Sequence, residues 1–196
     1  MNLPNKLTIS RFLLTVVFLT VLFSQIPYHE SLALVLFGAA SLTDYFDGKI
    51  ARRDKLITNF GILMDPLADK ILICSAFIAF VGLQKIQAWM VVLIVARELA
   101  ITGLRLLAAS KHVVLAAEGF GKHKTISQIT AVISILVRMS FQEWGPPGRF
   151  IFGFNLLGKP WVDWFTPLSI WVAVGLTFVS GWLYLWRNRK LYLDDM

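Results

Sequence analysis

The chain has 196 residues, of which 57% are hydrophobic and 16% charged, and its mean hydropathy is +0.67. Soluble domains run at about 45–50% apolar, so this composition excludes an ordinary soluble domain. The net charge of +7 does not mark a nucleic-acid partner, because the Lys and Arg residues collect at the ends of apolar runs, where they set membrane topology.

A bilayer core about 30 Å thick needs about 20 mostly apolar residues per helix. Six such stretches are predicted, at 8–26, 31–53, 62–83, 87–109, 125–142 and 163–186. The first follows Lys6 and Arg11 like a signal peptide, but Ser24-Gln25-Ile26-Pro27 lacks a small-x-small cleavage site, so it is expected to be retained. Turn signals at Pro27-Tyr28-His29, Asp54 to Asn59 and Gln84 to Gln87 separate the first four helices. One long connection, Glu143 to Asp163, is rich in Gly, Pro and Trp and suits a membrane interface. Residues 1–196 are thus expected to form a single integral membrane domain of all-α class. With an even number of spans both termini fall on one side. That side collects most of the basic residues, Arg52, Arg53, Lys55, Lys111, Lys122, Lys124 and Arg187 among them, and is read as cytoplasmic. Cys74 is the only cysteine, so no intrachain disulfide can form.

Four carboxylates stand where lipid is expected. Asp44 and Asp47 lie in the second span, Asp65 and Asp69 in the third. On the lenient insertion scale an aspartate near a helix centre costs about 2.5–3.5 kcal/mol, so four in one hairpin require a compensating partner. Asp44 and Asp47 are three apart and Asp65 and Asp69 four apart, so each pair shares a helix face. Counting outward from a turn near Leu56 puts Asp44 level with Asp69, and Asp47 level with Asp65. The natural partner of such a cluster between helices 2 and 3 is a divalent cation, and all-oxygen ligation points to magnesium or manganese. Gly48 and Ala51 leave room beside the aspartates, and Arg52, one turn past Gly48, can bind an anion bidentately. A metal pair beside that arginine suits a pyrophosphate. A polar helix-packing hairpin and the ion path of a small cation transporter are the alternatives.

The run Asp44-Tyr-Phe-Asp47-Gly48-Lys-Ile-Ala51-Arg52, followed by Gly61, Asp65 and Asp69, resembles the signature D-x2-D-G-x2-A-R-x8-G-x3-D-x3-D of the CDP-alcohol phosphotransferases, and matches its fixed positions and spacings. The resemblance implies a six-helix membrane fold, a homodimer, an active site facing the cytosol, a CDP-linked donor and CMP as leaving group. It also implies two metal ions, one held by Asp44, Asp47 and Asp65 and the other by Asp44, Asp65 and Asp69, with Asp69 as general base. Donor-binding roles for Gly48, Arg52, Asn5, Thr8 and Thr58 come from the same source.

Three further stretches resemble the bacterial members that join CDP-diacylglycerol to glycerol 3-phosphate in phospholipid biosynthesis at the cytoplasmic membrane. These are Leu3 to Arg11, Ala96-Arg97-Glu98 with Arg105, and Gly121-Lys122-His123-Lys124-Thr125. Two lysines two residues apart at a helix start can bind a phosphate monoester, so Lys122, Lys124, Arg105 and Arg97 are the candidate acceptor residues. Lys122 and Lys124 read equally as topology-setting charges. Arg97, near mid-span, needs an internal partner that a structural salt bridge could supply; Glu98, adjacent in the helix, is expected to point elsewhere. An inositol phosphate or phosphatidylglycerol acceptor stays open, as does a non-catalytic scaffold.

Overall fold

The computed structural model describes residues 3–54, 59–111, 120–189 and 191, with side chains at 9–43, 70–111, 123–189 and 191. The protein is mostly helical. Among the described residues six helices exceed twenty residues: α1 (Leu3–Phe23), α2 (His29–Asp54), α3 (Asn59–Gly82), α4 (Ala88–Ser110), α5 (Phe120–Ser140) and α7 (Trp161–Arg187). They overlap the six apolar stretches expected from the sequence, and α2 ends and α3 begins where the Asp54-to-Asn59 turn signal stands. Among the described residues one helix, α7, is by itself long and apolar enough to cross a bilayer. The apolar runs Ile9–Phe23, His29–Thr43 and Lys70–Gly82 are shorter.

The long helices close into a ring. Helix α1 packs on α2 and α3, α3 on α4, α4 on α7, α7 on α5, and α5 on α2, with α3 also touching α5 across the middle. The core inside this ring is built from Phe18, Phe37, Phe77, Phe80, Ile94 and Leu136, all at or near zero exposure. Aromatic faces supply much of it; Phe18 and Phe37 meet at 5.7 Å between ring centroids. A different kind of contact joins α5 to α7. Gln128 Nε2 donates to Thr177 Oγ1 at 3.0 Å, Ser134 and Ser169 hydroxyls meet at 2.7 Å, and Thr166 Oγ1 donates to the Ser134 carbonyl at 3.2 Å. Small hydroxyl residues let two helices approach closely and link them by hydrogen bonds. The last helix therefore has an exposed apolar side and a packed polar side. Trp171, Phe178, Val179, Trp182 and Trp186 are exposed, while Thr166, Ser169, Thr177 and Ser180 are buried in the seam.

The long connection is structured. A 3-10 turn (Phe141–Trp144) leads into a short helix, α6 (Gly145–Phe152), then into a two-stranded hairpin, β1 (Asn155–Leu156) with β2 (Lys159–Pro160). Two prolines in the first turn start α6 without wasting a helical donor. Gly148 allows α6 to fold back on the 3-10 turn, since a Cβ there would sit 2.3 Å from the Phe141 carbonyl oxygen. Glu143 ties this connection to the start of α2: its Oε2 accepts from the Ser31 backbone N–H at 3.2 Å and from Ser31 Oγ at 2.5 Å. Trp144 Nε1 donates to the same hydroxyl at 2.8 Å. The carboxylate caps the positive end of α2 from 112 residues away in sequence. Replacing Glu143 by Gln removes the charge that favours this end, and the expected loss is about 1–2 kcal/mol of stability, read as a lower melting temperature in detergent with activity retained below it.

Candidate active site

The best-described polar centre is built around Glu98 of α4, 3% exposed. Lys124 of α5, 6% exposed, donates through Nζ to Glu98 Oε1. Arg97 Nη1 reaches the same oxygen at 3.3 Å, and Arg97 Nη2 donates to Ser180 Oγ of α7 at 3.2 Å. Lys70 of α3 donates to Thr102 Oγ1 at 2.7 Å, and that hydroxyl donates to the Glu98 carbonyl at 2.8 Å. Side chains of four helices thus meet around Glu98, two of them, Lys124 and Arg97, at its carboxylate. Because Lys70 directly follows Asp69, the Lys70–Thr102 bond fixes the aspartate-bearing part of α3 at the level of Glu98 and Lys124.

The electrostatics of this centre are lopsided. Two cations share one carboxylate oxygen in a water-poor interior, where an uncompensated charge is expensive. In addition, Arg97 Nε is buried without a hydrogen-bond partner among the described residues. Buried polar groups are paired in the great majority of cases, so a donor left open beside surplus positive charge is suited to an anion. Arg97 is held there from behind, as a Cβ on Gly181 would sit 2.6 Å from Arg97 Cγ. Glycine at 181 makes the groove in which the arginine stem lies.

The structure brings Arg97 and Lys124 together, as an acceptor site requires, but through Glu98. The sequence argument that Arg97 and Glu98 point apart is corrected: the arginine side chain is long enough to fold back onto its neighbour. Arg105 does lie on Arg97's side of α4 and faces α7, where Nε donates to Tyr184 Oη at 3.4 Å and the guanidinium sits 5.7 Å from the ring centroid. It is exposed and two turns from Glu98, so it does not join the buried centre. His123 is exposed. Asp44, Asp47, Gly48 and Arg52 fall in α2, Asp65 and Asp69 in α3, Asn5 and Thr8 in α1, and Lys122 in α5, all in the helical backbone. Their side chains, and Thr58 altogether, lie outside the described residues. Among the described side chains no three of His, Cys, Asp or Glu gather to hold a metal. The roles of Glu98, Thr102, Ser180 and Gly181 were not anticipated. A buried glutamate in an apolar helix beside an arginine was the available signal for the first.

The model of the CDP-alcohol phosphatidyltransferase family matches residues 1–181. The chain belongs to this family. Similar family members span nearly its whole length. A Bacillus subtilis protein named CDP-diacylglycerol–glycerol-3-phosphate 3-phosphatidyltransferase is 39% identical, over 95% of this chain and 95% of its own. One of the same name from Rickettsia bellii is 34% identical over 97% of each. A Mycobacterium tuberculosis protein named as a probable phosphatidylglycerophosphate synthase is 42% identical over 67% of this chain and 64% of its own.

Two outcomes are expected in this CDP-alcohol phosphatidyltransferase from the shared carboxylate. Glu98→Gln removes the one described counter-charge of buried Lys124 and half-buried Arg97 and costs about 3–5 kcal/mol, read from thermal unfolding in detergent. Adding Lys124→Met to that variant restores part of the loss, because a neutral pair replaces an unmatched charge; a double variant less stable than Glu98→Gln alone would contradict the coupling.

Proposed function

We propose that the chain transfers the phosphatidyl group of CDP-diacylglycerol to glycerol 3-phosphate, giving phosphatidylglycerophosphate and CMP. The observation that carries this reading is the near-complete overlap with the Bacillus subtilis relative, which bears that activity in its name. The buried cationic centre at Arg97 and Lys124 supports it, because glycerol 3-phosphate brings the anion such a centre lacks. We read the protein as a six-span domain of the bacterial cytoplasmic membrane, residues 1–196 acting together, with both termini and the reaction on the cytosolic side, and as a homodimer.

The donor set of the α2–α3 hairpin fits two divalent cations, magnesium or manganese. Four hard carboxylate oxygen ligands, Asp44, Asp47, Asp65 and Asp69, stand at helical spacings of three and four in consecutive helices. When bound there, the ions offset the charge of the pyrophosphate and of the departing CMP. In this reading Arg52 binds a pyrophosphate oxygen, Gly48 lets the donor approach closely, and Asn5, Thr8 and Thr58 are assigned to nucleotide binding. Arg97 and Lys124, with Lys122 and Arg105 toward the cytosol, hold the acceptor phosphate and leave its C1 hydroxyl directed at the aspartates. Asp69 takes the hydroxyl proton. The oxygen forms a bond to the phosphorus that bears diacylglycerol, and the bond from that phosphorus to the bridging oxygen of CMP breaks. Catalysis of this kind rests on positioning and electrostatics.

The direct assay is CMP release from CDP-diacylglycerol by purified protein in detergent with magnesium, offered glycerol 3-phosphate, inositol 1-phosphate, serine or phosphatidylglycerol. Release with glycerol 3-phosphate alone, reduced by at least about a hundredfold in Asp69→Asn, is the expected result; release with another acceptor would keep the family and overturn the acceptor. Gly181→Ala pushes Arg97 from its groove and is expected to raise KM for glycerol 3-phosphate about tenfold, the equivalent of one lost charge-assisted hydrogen bond, with KM for the lipid donor little changed.

A further inference from the structure

At the end of the bundle away from the aspartates, the α6 helix and the β1–β2 hairpin expose apolar side chains that the reaction does not use. Ser31, bonded to this segment through Glu143 and Trp144, precedes Asp44 by 13 helical residues, or about 20 Å along α2. Phe150 is 86% exposed, Phe154 66% and Leu157 86%. Leu157 also takes a left-handed backbone conformation, φ 52°, beside Gly158 at 82°. A branched apolar residue adopts that conformation at a cost, and here the cost is met to hold a leucine at the tip of a hairpin.

The segment is rigidly built. The Phe152 ring lies 5.4 Å from Trp144 and stacks at 6.0 Å on Trp161, whose indole N–H donates to the Ile151 carbonyl at 2.8 Å. Trp164 Nε1 donates to the Leu156 carbonyl at 3.0 Å, and Lys159 Nζ lies 5.9 Å over the Trp164 ring. Residues 145–162 contain Arg149 and Lys159 and no carboxylate. The flanking acids are engaged: Glu143 by Ser31, and Asp163 by Arg138 Nε at 2.5 Å.

We propose that α6 and the hairpin form an interfacial anchor, with Phe150, Phe154 and Leu157 inserted at the headgroup–acyl boundary of the leaflet away from the active site, and Arg149 and Lys159 on anionic headgroups. Three features favour lipid over another occupant. The apolar tips run directly into the exposed face of α7, the helix of membrane-spanning length, through Trp164, Leu168 and Trp171. Tryptophans at a helix start belong to the bilayer interface. Apolar side chains interleaved with Lys and Arg on a short amphipathic element are the pattern of a segment lying in that plane. The anchor would fix how deeply α5 and α7 sit, and so the depth of Lys124.

The inference rests on the membrane reading above, and the test separates the two. In a Cys74→Ser background, Phe150→Cys, Leu157→Cys and Val179→Cys are labelled with bimane and placed in nanodiscs of phosphatidylcholine and phosphatidylserine. Val179, exposed on α7, reports the span itself. The expected result is strong quenching at 150 and 157 by lipids brominated near the headgroup, weak quenching by aqueous iodide, and quenching at 179 by bromines deep in the chains. Replacing Arg149 and Lys159 by Gln is expected to weaken the headgroup-level quenching when phosphatidylserine is present. Iodide quenching at 150 and 157 with 179 still in lipid would overturn the anchor alone. Shielding of 150 and 157 from both quenchers would assign the surface to a second copy of the chain and also overturn it. Loss of lipid quenching at 179 would remove the membrane reading and the anchor with it.

Discussion

An ionised side chain among apolar helices must find an opposite charge or a ring of hydrogen bonds, because neither lipid nor a packed core will solvate it. Glu98 meets this requirement for two cations at once and draws α3, α4, α5 and α7 to one point. The rest of the bundle follows from that. Helix α7 must reach Arg97, so it carries Ser180 and Gly181 where they face α4. Helix α5 must bring Lys124 inward, and the hydroxyl seam with α7 lets the two run close enough to do so. The apolar core around Phe77 and Phe80 fills the space toward the other end.

Among the described residues compensation at this centre is incomplete, and that bears on the proposed function. Among the described side chains a single carboxylate faces both Lys124 and Arg97, and Arg97 Nε is directed at no described acceptor. The α2–α3 hairpin has the opposite imbalance, with four aspartates in two consecutive helices. Lys70, next to Asp69 and bonded to Thr102, links the two regions. An enzyme that unites a pyrophosphate donor with a phosphorylated acceptor needs a place for cations and a place for an anion side by side. On the proposed reading these two complementary excesses would provide them without carrying the lipid donor through water.

Much of this was legible in the chain. Helix positions followed from apolar run length, which is set by chain geometry, and the turn at Asp54 to Asn59 from its polar residues. The aspartates stood out because charge in an apolar run is costly. What escaped notice depended on tertiary contact. The hydroxyl seam of α7 is one case, since a serine in an apolar run gives no sign of whether it faces lipid or a neighbour. The sequence offers Lys124 as an acceptor-phosphate residue or a topology-setting charge, and gives no sign that Glu98, 26 residues earlier, pairs with it in the interior. The Arg97–Glu98 pair was discounted on backbone direction alone, although a long side chain can overcome that direction. In the long connection the prolines, glycines and tryptophans marked a break, but a four-residue turn, a short helix and a two-residue hairpin lie below the length at which periodicity is readable.

The central claim is that the acceptor phosphate is held by the cationic centre while the donor is held by the aspartate hairpin. Equilibrium binding of glycerol 3-phosphate and of CDP-diacylglycerol, measured separately with magnesium on the parent, Lys124→Gln and Asp65→Asn proteins, tests it most directly, each variant first being verified as folded by its melting curve. The expected result is a split: Lys124→Gln loses glycerol 3-phosphate and keeps the lipid donor, while Asp65→Asn loses the donor. Undiminished glycerol 3-phosphate binding by folded Lys124→Gln would contradict the claim and leave Lys124 with a structural role alone.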